Sequence, residues 1–364
     1  MKRVYDQKKW FWITLLLMIV LLSTVGIFNY VVDNAGVFSK NNELKEVALA
    51  LINDKMIAGL ENYDERQLQK QIIEESKDKF NIIFLGSSRG MQLRHSFFKF
   101  EGETQKFFNH GMSGSSIEDY IAIIGLYESK GYVPSKVVIG VDPWIFNKNN
   151  EQTRWKSIGV YYKQVLGAIY GTEVNIDLSN RSKYLQLINL DYTIRDLKFI
   201  AKKDYKKKYY TTETINIDDS IREPDGSVHY PFSVRFQKDY VTQKTAKSYA
   251  NTPVYSLENF NDLSNTKLFE DFIAFLQNKK IEIMFILPPY HPITYKLLVA
   301  NPKYKIIVDA EKYLKNIADK RGIKISGSYN PDIYELSSLD FTDGMHSKDI
   351  VMKKYAENLG KISK

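Results

Sequence analysis

The chain has no cysteine among its 364 residues. That absence excludes disulfide frameworks, thiolate zinc sites, iron–sulfur clusters and a cysteine nucleophile. It also leaves cellular location to be read from other features. Proline is sparse, at ten residues, and there is no second apolar run long enough to span a membrane after the one near the N-terminus. What is present argues for a folded protein. Hydrophobic residues make up 44%, aromatic residues 13% and charged residues 26%, which excludes a disordered or collagen-like chain. The length suits one large or two ordinary domains with a sizeable core. Lysine and arginine outnumber the acids, for a net charge of +8. Mean hydropathy is −0.34, an average that conceals one segment.

Residues 10–32, WFWITLLLMIVLLSTVGIFNYVV, carry no charge. At about 1.5 Å per residue they extend roughly 35 Å, enough to cross a hydrocarbon core of about 30 Å with some tilt. Trp10, Trp12 and Tyr30 stand near the ends, where amphipathic rings favour the membrane interface. Lys2, Arg3, Lys8 and Lys9 precede the run, and charges of mixed sign follow it. The positive-inside rule places residues 1–9 in the cytoplasm and the rest outside. The run is too long for a signal peptide and lacks a clean A-x-A site, so an uncleaved single-pass anchor is expected.

Residues 33–79 are polar and helix-prone from Asn41, and read as a stalk or linker that packs on the side of the domain. Short, largely apolar β-type runs follow at 81–86, 106–109, 136–141, 281–287 and 322–326. Helical patterns lie at 117–130, 267–279, 304–321 and 348–359. This alternation predicts an α/β domain over 80–364 built on a parallel sheet, whose sites lie beyond the carboxyl ends of the strands. Residues 148–264 break the alternation and read as an inserted subdomain with some helix of its own at 184–201. The insertion contains the turn signal EPDG at 223–226 and the basic run KKDYKKKYY at 202–210.

Four loops leave the carboxyl edge of the expected sheet with residues able to do chemistry. The first run ends in Gly86-Ser87-Ser88-Arg89. A serine delivered off a strand end after a glycine can expose its hydroxyl, although it can equally cap a helix. The second run leads into Ser113-Gly114-Ser115-Ser116, a small turn able to aim backbone N–H groups at a developing oxyanion. The third leads into Gly140-Val141-Asp142-Pro143-Trp144. After the fifth comes DFTDGMH, in which Asp343 stands three residues before His346. A histidine base needs a carboxylate to fix its tautomer and stabilise the imidazolium.

The ordered combination of these blocks resembles the SGNH (GDSL-like) hydrolase superfamily over about residues 80–147 and 280–360. The resemblance implies a three-layer α/β/α, flavodoxin-like domain. It also implies Ser88 as nucleophile, Asp343 and His346 as orienting acid and base, and the N–H groups of Ser88 and Gly114 as oxyanion donors. The third block departs from the pattern: where the family has an asparagine donor, this chain has Asp142, which when ionised has no proton to donate. Either the hole then has only backbone donors, or Asp142 is structural or faces substrate. With the anchor, the chain is most similar to the membrane-anchored, extracytoplasmic acyl-transfer branch, which includes alginate and peptidoglycan O-acetylation proteins and teichoic-acid D-alanylation proteins.

That branch implies an O-acyltransferase, most simply an O-acetyltransferase, acting on a cell-surface polysaccharide or wall polymer through an acyl-serine. A multipass membrane-bound O-acyltransferase would supply the acyl group. Alternatives are a carbohydrate esterase or deacetylase, D-alanyl transfer to teichoic acid, and a non-catalytic polymer-binding scaffold. Arg89, Asp142, Trp144 and His291 are candidate substrate-binding residues, and Trp155 is a candidate for stacking on sugar rings. Arg89 reads equally well as half of a salt bridge at a helix start. His95, His110 and His229 lack companion carboxylates at metal-ligand spacing, so neither metal nor cofactor is expected. The basic run would suit an anionic polymer or lipid headgroups, or simply a solvated face. A domain outside the cell is not expected to meet nucleic acid.

Overall fold

The computed structural model describes residues 2–33, 38, 42–61, 63–99, 105–179, 181–201, 209–253, 255, 257, 260 and 262–360. The basic run at 202–208 lies outside the described residues. The chain divides into two compact units. The smaller contains 1–42, 60–64 and 179–210, and the larger contains 43–59, 65–178 and 211–364.

In the smaller unit, helix α1 (Lys2–Val32) contains a stretch, Gln7–Val32, long and apolar enough to cross a membrane. Its side chains from Trp10 to Val31 are largely exposed. A 3₁₀ segment, Arg181–Ile188, and a helix, Leu190–Ile200, belong to the same unit. The continuous helix expected at 184–201 is therefore two pieces. Asn189 separates them, because its side chain caps the second by accepting the Tyr192 N–H at 3.0 Å.

The larger unit opens with α2 (Asn42–Ile52), strand β1 (Met56–Ala58) and α3 (Glu65–Glu75). The segment expected to pack as a stalk on the side of the domain is, over 43–59 and 65–79, part of the larger unit itself. Val47, Ala48, Leu51, Ile57, Ala58, Leu68 and Ile72 are fully buried, and β1 pairs antiparallel with a strand of the insertion. The core is a five-stranded sheet of β2 (Ile82–Leu85), β3 (Phe107–Asn109), β4 (Lys136–Gly140), and two later strands, Glu282–Leu287 and Lys324–Gly327. Helix α4 (Ile117–Ser129) joins β3 to β4. All pairings are parallel, with Leu85 opposite Ile139, Ile139 opposite Phe285 and Phe285 opposite Ile325. Both faces are buried, which is why the strands read as near-continuous apolar runs. Spatially β2 lies between β3 and β4, so the winding direction reverses between the loops that follow β2 and β4.

The insertion contributes α5 (Gly159–Tyr170), α6 (Leu190–Ile200, introduced above), β5 (Tyr210–Thr212), β6 (Ile221–Arg222), β7 (Val228–His229), α7 (Phe232–Arg235) and α8 (Asp239–Asn251). It is not one subdomain, since 179–210 belong to the smaller unit and the rest to the larger. The EPDG signal forms the β6–β7 turn, with Glu223 N–H donating to Ser227 O at 2.8 Å. β7 then joins the core through Val228 N–H to Met91 O at 2.8 Å. The remaining elements are α9 (Thr266–Asn278), β8 (Glu282–Leu287), α10 (Pro292–Val299), α11 (Ile306–Arg321), β9 (Lys324–Gly327) and α12 (Asp349–Asn358). α12 packs Val351, Met352 and Tyr355 on the sheet face carrying Phe84, Met284 and Ile286. Phe269 of α9 meets Phe285, which points to the opposite face.

His110, just after β3, is fully buried. Its Nδ1–H donates to Gln69 Oε1 at 2.7 Å, and its Nε2 accepts from Tyr127 OH at 2.6 Å. Burial, with the Arg222 charge adding to it, lowers its pKa to about 3. The unfolded chain takes up this proton near pH 6.5 while the folded chain does not, so stability falls as pH drops through that window. Between about pH 7 and about pH 5.5 this group alone costs about 1 kcal/mol. Urea unfolding at the two pH values should show that loss in the native chain and a smaller one in His110→Gln.

Candidate functional site

Ser88 opens a 3₁₀ turn, Ser88–Gly90, directly after β2, and Ser87 caps that turn by accepting the Arg89 N–H at 3.1 Å. Gly86 is required here by close approach rather than by an unusual dihedral angle: a Cβ would collide with the Phe84 ring. The Ser88 hydroxyl is partly exposed and lies 2.9 Å from His346 Nε2. His346 Nδ1 lies 2.7 Å from Asp343 Oδ2. The other Asp343 oxygen accepts the backbone N–H groups of Met345 and His346, each at 2.8 Å. Burial would raise the Asp343 pKa, but the His346 ring and these two N–H groups hold it below the ordinary carboxylate value. An ionised Asp343 only accepts, so Nδ1 carries the imidazole proton and Nε2 is left to accept from Ser88. Ser88, more than 250 residues before the Asp343–His346 loop, thus forms one hydrogen-bonded chain with those two residues at the carboxyl edge of the sheet.

Gly114 sits in a turn held by charged residues of α3. Glu65 accepts from the Ser113 N–H at 2.5 Å and from its hydroxyl at 3.0 Å. Buried Arg66 donates to Ser113 O at 3.1 Å and makes a two-point contact with Asp119 at 2.9 and 3.0 Å. Asp119 in turn accepts the Ser116 N–H and so closes the capping box of α4. Gly114 has φ +56°, and a Cβ there would collide with the Arg154 guanidinium and the Tyr255 hydroxyl. Among the described residues, the N–H groups of Ser88 and Gly114 donate to no other group.

Arg89, Asp142, Trp144 and His291, the candidate substrate-binding residues, are all enclosed. Arg89 Nη1 meets Asp142 Oδ1 at 2.9 Å with both side chains fully buried. Its Nε donates to Met345 O at 3.1 Å, its Nη2 donates to Pro288 O, and its guanidinium lies 4.1 Å from the Tyr290 ring centre. Burial holds the Asp142 carboxyl above its usual pKa, and Arg89 opposes that shift. Of the readings left open for Asp142, the structural one fits. Trp144 Nε1 donates to Ser115 O at 3.0 Å, joining the β4 loop to the start of α4. His291 caps α10 through Nδ1, contacts Ser338 Oγ through Nε2, and donates its backbone N–H to Gly344 O. Trp155 is also buried, edge-on to Tyr162 at 5.0 Å, with little ring surface left for a sugar. His229 faces Arg94 and Glu223, and exposed His95 contacts Gln105 O.

Three site residues have no motif in the sequence. Tyr230, following β7, donates its hydroxyl to Ser88 O at 3.2 Å and sets its ring 5.9 Å from that of His346, nearly perpendicular. Burial, reinforced by the charges of Asp343 and Glu65, raises the Tyr230 pKa, so the phenol stays protonated. Arg154 and Tyr255 stand over Gly114, and all three come from the insertion. The EPDG turn announced the hairpin before Tyr230 but not what the hairpin packs on. No family model matches the chain, and no curated protein matches it.

Removing one partner of a buried ion pair leaves an uncompensated charge and costs about 3–5 kcal/mol. Arg89→Ala should therefore lower the thermal unfolding temperature sharply. Asp142→Asn, which keeps an acceptor beside Arg89, should cost less, and differential scanning calorimetry of the two variants checks the order.

Proposed function

We propose that the chain is a membrane-anchored acyl-transfer enzyme of the SGNH type. In this reading α1 anchors it with the N-terminus in the cytoplasm, and the larger unit works outside the membrane on a surface polysaccharide or wall polymer. The observation that carries the reading is the Ser88–His346–Asp343 chain of hydrogen bonds, placed where the strands β2 and β9 deliver their loops. The five-strand order, with the first strand between the second and third, supports the doubly wound α/β/α architecture of that superfamily.

In the proposed reaction His346 Nε2 takes the Ser88 proton as Oγ attacks the carbonyl carbon of an acyl donor. The tetrahedral oxyanion is met by the free N–H groups of Ser88 and Gly114. One donor of this kind contributes about 3–4 kcal/mol in comparable sites. Arg154 and Tyr255 bring further donors to the Gly114 side, where the missing asparagine would have supplied one. Collapse breaks the bond to the leaving oxygen, which takes the proton from His346, and leaves acyl-Ser88. A sugar hydroxyl then gives its proton to His346 as its oxygen attacks the acyl carbon. The second collapse releases the acylated sugar and returns the proton to Ser88. Tyr230 fixes the backbone of the nucleophile and one side of the imidazole.

Full-length protein in detergent should release acetate from activated acetyl esters and, with oligosaccharide acceptors present, yield acetylated sugar by mass spectrometry. Ser88→Ala should lower both by at least about 10³-fold. Acetate release without sugar product would point to an esterase, and turnover unchanged in Ser88→Ala would overturn the enzymatic reading.

A further inference from the structure

The smaller unit carries an apolar surface that the acyl-transfer reading does not use. In α6, Leu190, Ile194 and Leu197 recur at helical spacing and are 39 to 72% exposed. Tyr184, Leu185 and Ile188 of the preceding 3₁₀ segment are exposed to a similar degree. The other face of α6, with Tyr192 and Asp196, is buried. Exposed apolar side chains concentrated on so small an element mark something that covers them.

Its attachment indicates what that is. Asn29 lies within the apolar run of α1, one turn from its end, and is fully buried. Its Nδ2 donates to Gln186 O at 3.2 Å, Leu187 O at 2.9 Å and Thr193 Oγ1 at 2.9 Å. Tyr192 OH donates to Asp33 Oδ1 at 2.7 Å, immediately after the helix. A polar amide inside a span needs partners at its own depth, and here the 3₁₀ segment and α6 supply them. The surface is therefore held at the last turn of α1, the level of a headgroup boundary. Tyr30, Phe38 and Tyr184 stack in sequence at the same level, with centroid separations of 5.6 and 6.2 Å, as aromatic side chains do at membrane interfaces. Arg195 and Lys198 are exposed beside the apolar stripe, where their stems can lie on apolar surface and their charges reach phosphate.

We propose that the 3₁₀ segment Arg181–Ile188 and helix α6 form an interfacial hairpin that lies in the outer leaflet beside α1. The apolar residues are buried among acyl chains, with Arg195 and Lys198 at the headgroups. The inference rests on α1 being a membrane span and is independent of the chemistry at Ser88. It gives the protein a second, lateral hold on the bilayer.

The absence of native cysteine makes single-site nitroxide labelling direct. Full-length Leu190→Cys and Leu197→Cys, labelled and reconstituted in phosphatidylcholine–phosphatidylglycerol vesicles, should collide with oxygen far more often than with a water-soluble nickel chelate. Leu339→Cys, exposed on the larger unit, should show the reverse. Val20→Cys reports on α1 itself. Nickel access at Leu190 and Leu197 with Val20 shielded would overturn the hairpin proposal alone, whereas nickel access at Val20 would remove its premise. Exclusion of both reagents would show that protein, not lipid, covers the surface, and would overturn it too.

Discussion

The geometry of the candidate site depends on the buried pair of Arg89 and Asp142. Arg89 follows Ser88 in sequence, and its guanidinium reaches three other strand-end loops at once. It meets Asp142 after β4, Pro288 after β8 and Met345 beside the histidine. Two charges removed from water are costly, and their attraction offsets that cost only where the remaining donors are satisfied. Here each nitrogen of the fork has an oxygen partner, and the Tyr290 ring stacks against its face. The planar, multi-donor shape of arginine makes such a four-loop junction possible, and a lysine has no equivalent geometry. Ser88 and His346 thus sit on loops whose separation is fixed from beneath by a group neither of them touches.

A second set of charges does the same for Gly114. Glu65 and Arg66 of α3 hold the Ser113 turn, and Asp119 links that hold to the start of α4. The left-handed backbone of Gly114 and the crowding by Arg154 and Tyr255 leave room for no side chain there. The Ser88 N–H is thus positioned by the capped 3₁₀ turn after β2, and the Gly114 N–H by charged side chains of α3. In an oxyanion site this matters, because preorganised dipoles act without rearranging as charge develops.

The sequence made some of this legible and hid the rest for physical reasons. The five strands were readable because a parallel sheet buried on both faces needs unbroken apolar runs, and their observed bounds fall within two residues of those expected. The Ser88 turn and the Asp343–His346 loop were readable because each is encoded within a few neighbouring residues. The integration of 43–59 into the larger unit was hidden. α2 presents Val47, Ala48 and Leu51 inward and charge outward, so composition resembles a linker, and β1 is too short to show a period. The partners of Arg89 and Asp142 were hidden because the pairing spans 53 positions, and no local pattern encodes it. Tyr230, Arg154 and Tyr255 share that difficulty, since they reach the site only through the tertiary path of the insertion.

Covalent capture tests most directly the proposal that Ser88 is an activated nucleophile. Full-length protein treated with a fluorophosphonate should gain the mass of a single adduct, with peptide mapping placing it on Ser88. His346→Gln should abolish the adduct while leaving the fold intact. Failure of the native chain to react, or an adduct on another serine, would contradict the account.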